Sequence, residues 1–248
     1  MKVSIITASY NSADTISDTI VSVQKQSYKN IEHIIVDGAS NDNTLGAIRA
    51  AGHKGPLISE PDKGIYDAMN KGIKAATGDI VGILNSDDHF YNDDVIATVV
   101  KAFEEQEVDA TVGDVIFIKK ENTGKIVRRY TAVKWKLSKF VWGYMPPHPS
   151  FFVRRHLFQE LGFYKTDYKI GADFELLVRY LLVHKISWAY LPVVTTKMLM
   201  GGASTKNINS IITLNKEIAR ACKENGLYTN YAMIYSKYLF KPFEFLSQ

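Results

Sequence analysis

The sequence is short of three things, and each shortage narrows the range of functions. There is one cysteine, Cys222. A single thiol closes no internal disulfide, which fits a reducing compartment, and its place beside Ala221 on an expected helix reads as a packed thiol, not a nucleophile. No apolar run approaches the roughly 20 residues that span a bilayer. The opening apolar run over 2–7 is only strand-length, unlike a secretory leader. The charge excess is small, +4 over 248 residues. That is no argument for nucleic acid, though it is compatible with anionic substrates or an anionic membrane face. Internal repeats and low-complexity linkers are also missing. At 46% hydrophobic and 23% charged, the composition is that of a globular chain able to bury a substantial core.

Up to about residue 105, strand and helix patterns alternate. Strands are expected over 2–7, 31–36, 56–59 and 80–84, with helices over 14–26, 44–51, 64–77 and 93–104. This rhythm implies a mostly parallel sheet with helices on both faces. Then it changes. Strands are expected over 110–112, 115–119 and 125–130, the last two joined by a turn over 121–124. A strand over 150–153, helices over 154–161 and 172–184, and strands over 186–191 and 193–198 around Pro192 follow. Two terminal helices cover 207–224 and 228–240.

Polar clusters follow three of the early strands: residues 7–11, Asp37, and Asn85-Ser86-Asp87-Asp88. Parallel strands place all three along the edge where open α/β sheets bind nucleotides. Two adjacent carboxylates at the end of a buried strand cost several kcal/mol without a positive partner. No Lys or Arg intervenes between Asp88 and Lys101. A divalent cation held by hard oxygens would compensate them; a polar turn with an Asp cap is the other reading. Asp37 either starts a turn before Gly38 or accepts a hydrogen bond from a base.

On the helix over 64–77, Tyr66, Met69, Asn70 and Ile73 share the inward face, so Asn70 needs a partner. Asp67 and Lys71 form an outer i, i+4 pair, and Lys63 with Gly64 at the helix start suits a phosphate. Asp173 precedes the stripe Leu176, Leu177, Tyr180, Leu181 and faces inward, with Glu175 and Arg179 paired on the outer face. A carboxylate there is either a general base or a first-turn dipole partner. His148, between Pro147 and Pro149, is rigidly held, in a functional or a structural role.

Together these residues resemble the inverting family-two glycosyltransferases of the GT-A fold, over about 3–204, and in particular the bacterial polysaccharide and colanic-acid type. The motifs that carry the resemblance are Ser4-Ile5-Ile6-Thr7-Ala8-Ser9-Tyr10-Asn11, Val36-Asp37-Gly38-Ala39-Ser40-Asn41-Asp42-Asn43-Thr44, the complete segment from Glu60 to Gly72, and His148-Pro149-Ser150-Phe151-Phe152-Val153-Arg154-Arg155. The family's Asp-x-Asp metal motif falls on Asn85-Ser86-Asp87-Asp88. Asn85 stands where the first Asp is usual, and the late His of some members is missing near 198–202.

The resemblance implies a Rossmann-like nucleotide-sugar-binding half over 1–105, an acceptor-binding and catalytic half over 106–204, and a C-terminal helical extension over 205–248. It assigns the nucleotide to Thr7, Ala8, Tyr10, Asp37, Lys63, Gly64, Asn70 and Asp87, and Mn²⁺ or Mg²⁺ to Asp87 and Asp88. Asp173 becomes the catalytic base, and Asp114 and His148 fall to the donor sugar or acceptor. The implied reaction moves a sugar, with inversion, from a nucleoside diphosphate sugar (UDP foremost, GDP and dTDP open) to a hydroxyl of a glycan or lipid-linked glycan. Its setting would be cell-surface polysaccharide synthesis in the bacterial cytoplasm. Two alternatives stand: a catalytically silent glycan- or nucleotide-binding protein of the same fold, and a sugar nucleotidyltransferase, which would need a Gly-x-Gly-Thr-Arg loop absent from 7–11. The tail carries a stripe of Tyr231, Ile234, Tyr235 and Tyr238, then Phe240, Phe243 and Phe245, in a Lys/Arg-rich context. That composition suits an anionic inner membrane face or packing on the enzyme or on a second subunit, as in a homodimer.

Overall fold

The computed structural model describes residues 1–119, 122–200 and 208–244. In chain order the first elements are β1 (Val3–Ser9), α1 (Ile16–Gln24), β2 (Ile31–Asp37), α2 (Thr44–Ala50), β3 (Leu57–Ser59), α3 (Ile65–Ala75), β4 (Ile80–Ile83), β5 (His89–Phe90) and α4 (Val95–Gln106). Next come β6 (Ala110–Lys119), β7 (Asn122–Tyr130), β8 (Phe152–Arg154), α5 (His156–Leu161), α6 (Ala172–Leu177), β9 (Trp188–Leu199), α7 (Ile208–Glu224) and α8 (Tyr231–Glu244). All the strands join one nine-stranded sheet in the order β3-β2-β1-β4-β8-β6-β9-β5, with β7 paired to β6.

The β3-β2-β1-β4 half is parallel. Both of its faces are covered, so β1 and β4 are buried throughout and read as continuous apolar runs. Ile6, Ile34 and Val36 pack on one face against Tyr66, Met69 and Ile73 of α3. Ile5 packs on the other with Val95 and Val99 of α4, and Ile35 with Ile16, Ile20 and Ile48 of α1 and α2. α3 lies close because Gly72 has no side chain: a Cβ there would sit 2.3 Å from Cγ2 of Ile6.

The other half departs from the parallel scheme. β8 is antiparallel to both β4 and β6, while β6 and β9 run parallel. Two pairs of expected strands are single strands. β6 is continuous from Ala110, and β9 passes straight through Pro192. Val112 pairs with Tyr190 but Asp114 with Val194, so β9 bulges around the proline, which has no ladder N–H to give. The two-residue β5 is too short for a periodic signal. The helix expected over 172–184 is α6 continued by the π-helical turn Val178–Val183. The expected turn over 121–124 falls partly on residues 120 and 121, which lie outside the described ones.

The terminal helices share the main core: Ile218, Ala221, Cys222 and Ile234 are buried with Phe140 and Phe174. Cys222 is the packed thiol expected, and burial pushes it up to about 11. The aromatic stripe splits. Ile234 is buried and Tyr238 donates to Asn215, while Tyr231 and Tyr235 stay exposed. Phe245 and the side chains of Phe240 and Phe243 lie outside the described residues. Among the described residues no helix is long and apolar enough to cross a membrane.

Candidate active site

Register builds the site. β1, β2 and β4 are parallel, with Ser9 beside Asp37 and Ile6 beside Ile83, so their carboxyl ends share one edge. β8 runs the opposite way with Phe152 beside Gly82, so the 3-10 turn before it, His148–Ser150, opens onto the same edge. The hydroxyls of Ser12 and Ser86, 2.8 Å apart, tie the loops that follow β1 and β4. A cavity of about 540 Å³ opens here, lined by Ala8, Ser9, Tyr10, Gly38, Gly64 and Ser86. That volume is typical of a small-ligand cleft. A larger hollow of about 670 Å³ lies at the other strand ends, beside Lys2, Glu32 and His53. Asp37, Asp87 and Asp88 do not line it.

Asp88 is 2% exposed. It accepts from Asn85 Nδ2 at 2.9 Å and from the backbone N–H of Leu199. Burial, and next the charge of Asp87, pushes its carboxyl well above the usual range; burial also raises half-buried Asp87. Oδ1 of Asn85 is buried with no partner. Two crowded carboxylates and an orphaned carbonyl oxygen are a hard donor set of the kind Mn²⁺ or Mg²⁺ takes. No group of three His, Cys, Asp or Glu side chains converges among the described residues. Such an ion would therefore complete its shell with water or substrate phosphates. Residues 201 and 202, in the region of the missing late His, lie outside the described residues. β9 also sets Lys197 opposite His89, a cation that chain distance hid.

Asp173 opens α6 with its side chain 12% exposed, and Nδ1 of His148 lies 3.1 Å from its Oδ2. Its Oδ1 accepts from the Phe174 N–H at 2.8 Å, with the Tyr66 hydroxyl at 3.5 Å. Each of these neighbours is itself anchored. Ser150 donates to Gly113 O, and Thr196 of β9 donates to Pro149 O. Tyr66 stacks on Tyr164 at 5.7 Å and donates to Ile170 O. Burial, then the Asp173 charge, pushes the Tyr66 phenol well up, so it stays a donor. β9 thus touches both acidic groups: Leu199 meets Asp88, and Thr196 holds the turn that carries His148. Tyr66 was legible only as an inward residue; a buried phenol needs a partner, and Asp173 and Ile170 lie a hundred positions away in the chain.

The structure brings Ala8, Tyr10 and Gly64 to the cavity together with Ser86, the residue before the Asp87–Asp88 pair, and His148 to Asp173. Other expected residues are committed elsewhere. The hydroxyl of Thr7 is buried against Nε2 of His33 at 3.0 Å. Asp37 is fully buried and accepts from the Ser40 N–H and from the hydroxyls of Ser40 and Ser59. This grip holds the turn in which Ala39 takes a left-handed φ of 58°, a costly conformation for alanine. The Lys63 and Gly64 N–H groups already donate to Asp67 and Asp62, and the Lys63 side chain is exposed.

Asn70 is a correction. Its amide donates to Tyr164 O at 2.8 Å and accepts from Tyr164 N–H at 3.0 Å, so it pins α3 to the loop before α6 instead of facing the cavity. Asp114 is another. It is fully buried and takes Nε and Nη2 of Arg129, the Ala132 N–H and the Tyr190 hydroxyl. Four donors fill its lone pairs and leave none for a sugar. Glu175 pairs with Arg179 as expected, but on a covered face. It is fully buried, with Lys165 as a second cation.

The profile described as Glycosyl transferase family 2 matches residues 4–170. An uncharacterized glycosyltransferase of Mycobacterium tuberculosis is 35% identical over 185 residues, covering 73% of this chain and 69% of that protein. Two solved structures have a similar fold. Mannosyltransferase PcManGT from Pyrobaculum calidifontis, in complex with GDP-Man and Mn²⁺, has TM-score 0.68 at 22% identity, covering 98% of this chain and 68% of that one. S. aureus TarS 1–349, in complex with UDP-GlcNAc, has TM-score 0.66 at 18% identity, covering 89% of this chain and 66% of that one.

Proposed function

The chain belongs to glycosyl transferase family 2, and we propose that it moves a sugar, with inversion, from a nucleoside diphosphate sugar to a hydroxyl of a glycan or lipid-linked glycan. One observation carries this reading. The crowded Asp87–Asp88 pair, the cavity and the His148-bound Asp173 share a single sheet edge.

Tyr10, 62% exposed at the rim, offers its ring to the base. Asp87, Asp88 and Oδ1 of Asn85 would hold the Mn²⁺ or Mg²⁺, which when bound would neutralise charge on the leaving diphosphate. Asp173 takes the proton from the acceptor hydroxyl as that oxygen attacks the anomeric carbon. His148, Tyr66 and the Phe174 N–H keep its carboxylate aimed. General-base help of this kind contributes about 10²–10⁴-fold. The 3.1 Å contact with His148 supports a second assignment, in which His148 accepts the proton and Asp173 orients it. His148→Gln as damaging as Asp173→Asn would favour that version.

A UDP-sugar is the donor we favour, with a GDP-sugar next, in line with UDP-GlcNAc in TarS and GDP-Man in the mannosyltransferase. A lipid-linked acceptor at the inner membrane face would suit exposed Tyr231 and Tyr235, in cell-surface polysaccharide synthesis. The test is a thermal-shift panel of UDP-, GDP- and dTDP-sugars with Mn²⁺, Mg²⁺ or EDTA. A metal-dependent rise for one nucleotide class is expected; no rise with any combination would sink the proposal.

A further inference from the structure

Glu217 was legible in the sequence only as one acid in a basic tail, and it lies beyond the matched segment 4–170. In the fold it points from α7 into the body of the enzyme and is 9% exposed. Its Oε1 accepts from the Lys169 N–H at 2.7 Å, and its Oε2 from the N–H groups of Ile170 at 2.9 Å and Gly171 at 2.8 Å. Three successive backbone donors on one carboxylate form an anion-cradling nest whose anion is supplied by the chain itself. Charge-assisted bonds of this kind are about twice as strong as neutral ones.

The cradled residues lead directly into Asp173. Gly171 is the residue from which α6 starts, and a Cβ on it would lie 3.3 Å from Oε2 of Glu217, so the approach is tight. On its other side the Ile170 carbonyl takes the hydroxyl of Tyr66, the tyrosine that also faces Asp173. The Ile170–Gly171 peptide is therefore held by α7 through its N–H and by α3 through its C=O. α7 also meets this loop through Arg220 with Asp167 and Glu224 with Lys165. Those pairs are substantially exposed and worth little; the buried one adjoins the site.

We infer that Glu217 is a positioning residue for Asp173, so that α7 sets the aim of the base. This rests on the reading of Asp173 as base. The test uses the full chain, with Glu217→Gln and Glu217→Ala, alone and combined with Asp173→Asn. Release of nucleoside diphosphate from UDP-GlcNAc and GDP-mannose with Mn²⁺ is measured beside amide exchange at 169–171. Glu217→Gln keeps the size of the side chain and covers the case in which the alanine variant fails to fold.

The expected result is faster exchange at 169–171 and about ten- to hundredfold lower kcat, with donor KM essentially unchanged. The Glu217 effect should vanish in the Asp173→Asn background, because residues acting through one group are not additive. Unchanged exchange, unchanged kcat, or a full second loss in the double variant overturns the proposal. If Asp173→Asn itself turns over like wild type, the base assignment has failed. If it is impaired while Glu217→Gln is not, the positioning role alone has failed.

Discussion

A carboxyl with 2% exposure, an acidic neighbour and only two neutral donors is costly to ionise unless a cation joins it. Asp88→Asn keeps the shape and removes that charge. Without metal the variant should melt higher than wild type, by about 1–3 kcal/mol of added stability, and Mn²⁺ should no longer raise its melting temperature. A metal-free variant less stable than wild type would show that the fold already compensates Asp88. The pair was legible in the sequence because an apolar strand ran into it with no cation nearby. Asn70 and Asp114 were misread for the opposite reason. Their polarity was visible, but the partners that use it up, Tyr164 and the Arg129–Tyr190 pair, are set by tertiary contacts.

Among the elements, α3 was located by its periodic apolar face, and β1, β2 and β4 by short continuous apolar runs. Such patterns failed where pairing overrides local preference. Pro192 looked like a strand break, yet β6 carries β9 past it through a bulge. Glu175 and Arg179 had the right spacing, but α7 and the loop before α6 cover the face that looked solvated. α3 also gives a test of packing. Gly72→Ala forces a methyl to within 2.3 Å of Ile6, so it should cost about 1–3 kcal/mol in denaturant unfolding. A neutral result would mean that α3 stands further off β1.

The whole molecule has an acid limit that follows from buried groups. Burial, and next His53, lowers His33 from 6.5 to about 3. The unfolded chain takes up a proton below 6.5 that the folded chain refuses until about 3, so stability falls as pH drops through that window. Against the cost of burial, Ser4, Thr77 and Lys2 hold Glu32 down at about 2. Its contribution is present above 4.5 and fades as pH falls toward 2. His33→Gln should therefore flatten the loss of stability between 6.5 and 4.5, leaving the smaller slope from His53 and His89, whose values burial also lowers. An unaltered slope in pH-dependent melts would place a charged His33 in the folded protein.

The sheet brings the cavity beside Ala8 and Tyr10 and the His148-bound Asp173 to one edge. The most direct test is the turnover of Asp173→Asn with the donor that the thermal-shift panel selects. Nucleoside diphosphate release should slow by about 10²–10⁴-fold with donor affinity retained. Turnover of the variant at the wild-type rate would show that Asp173 is not the base.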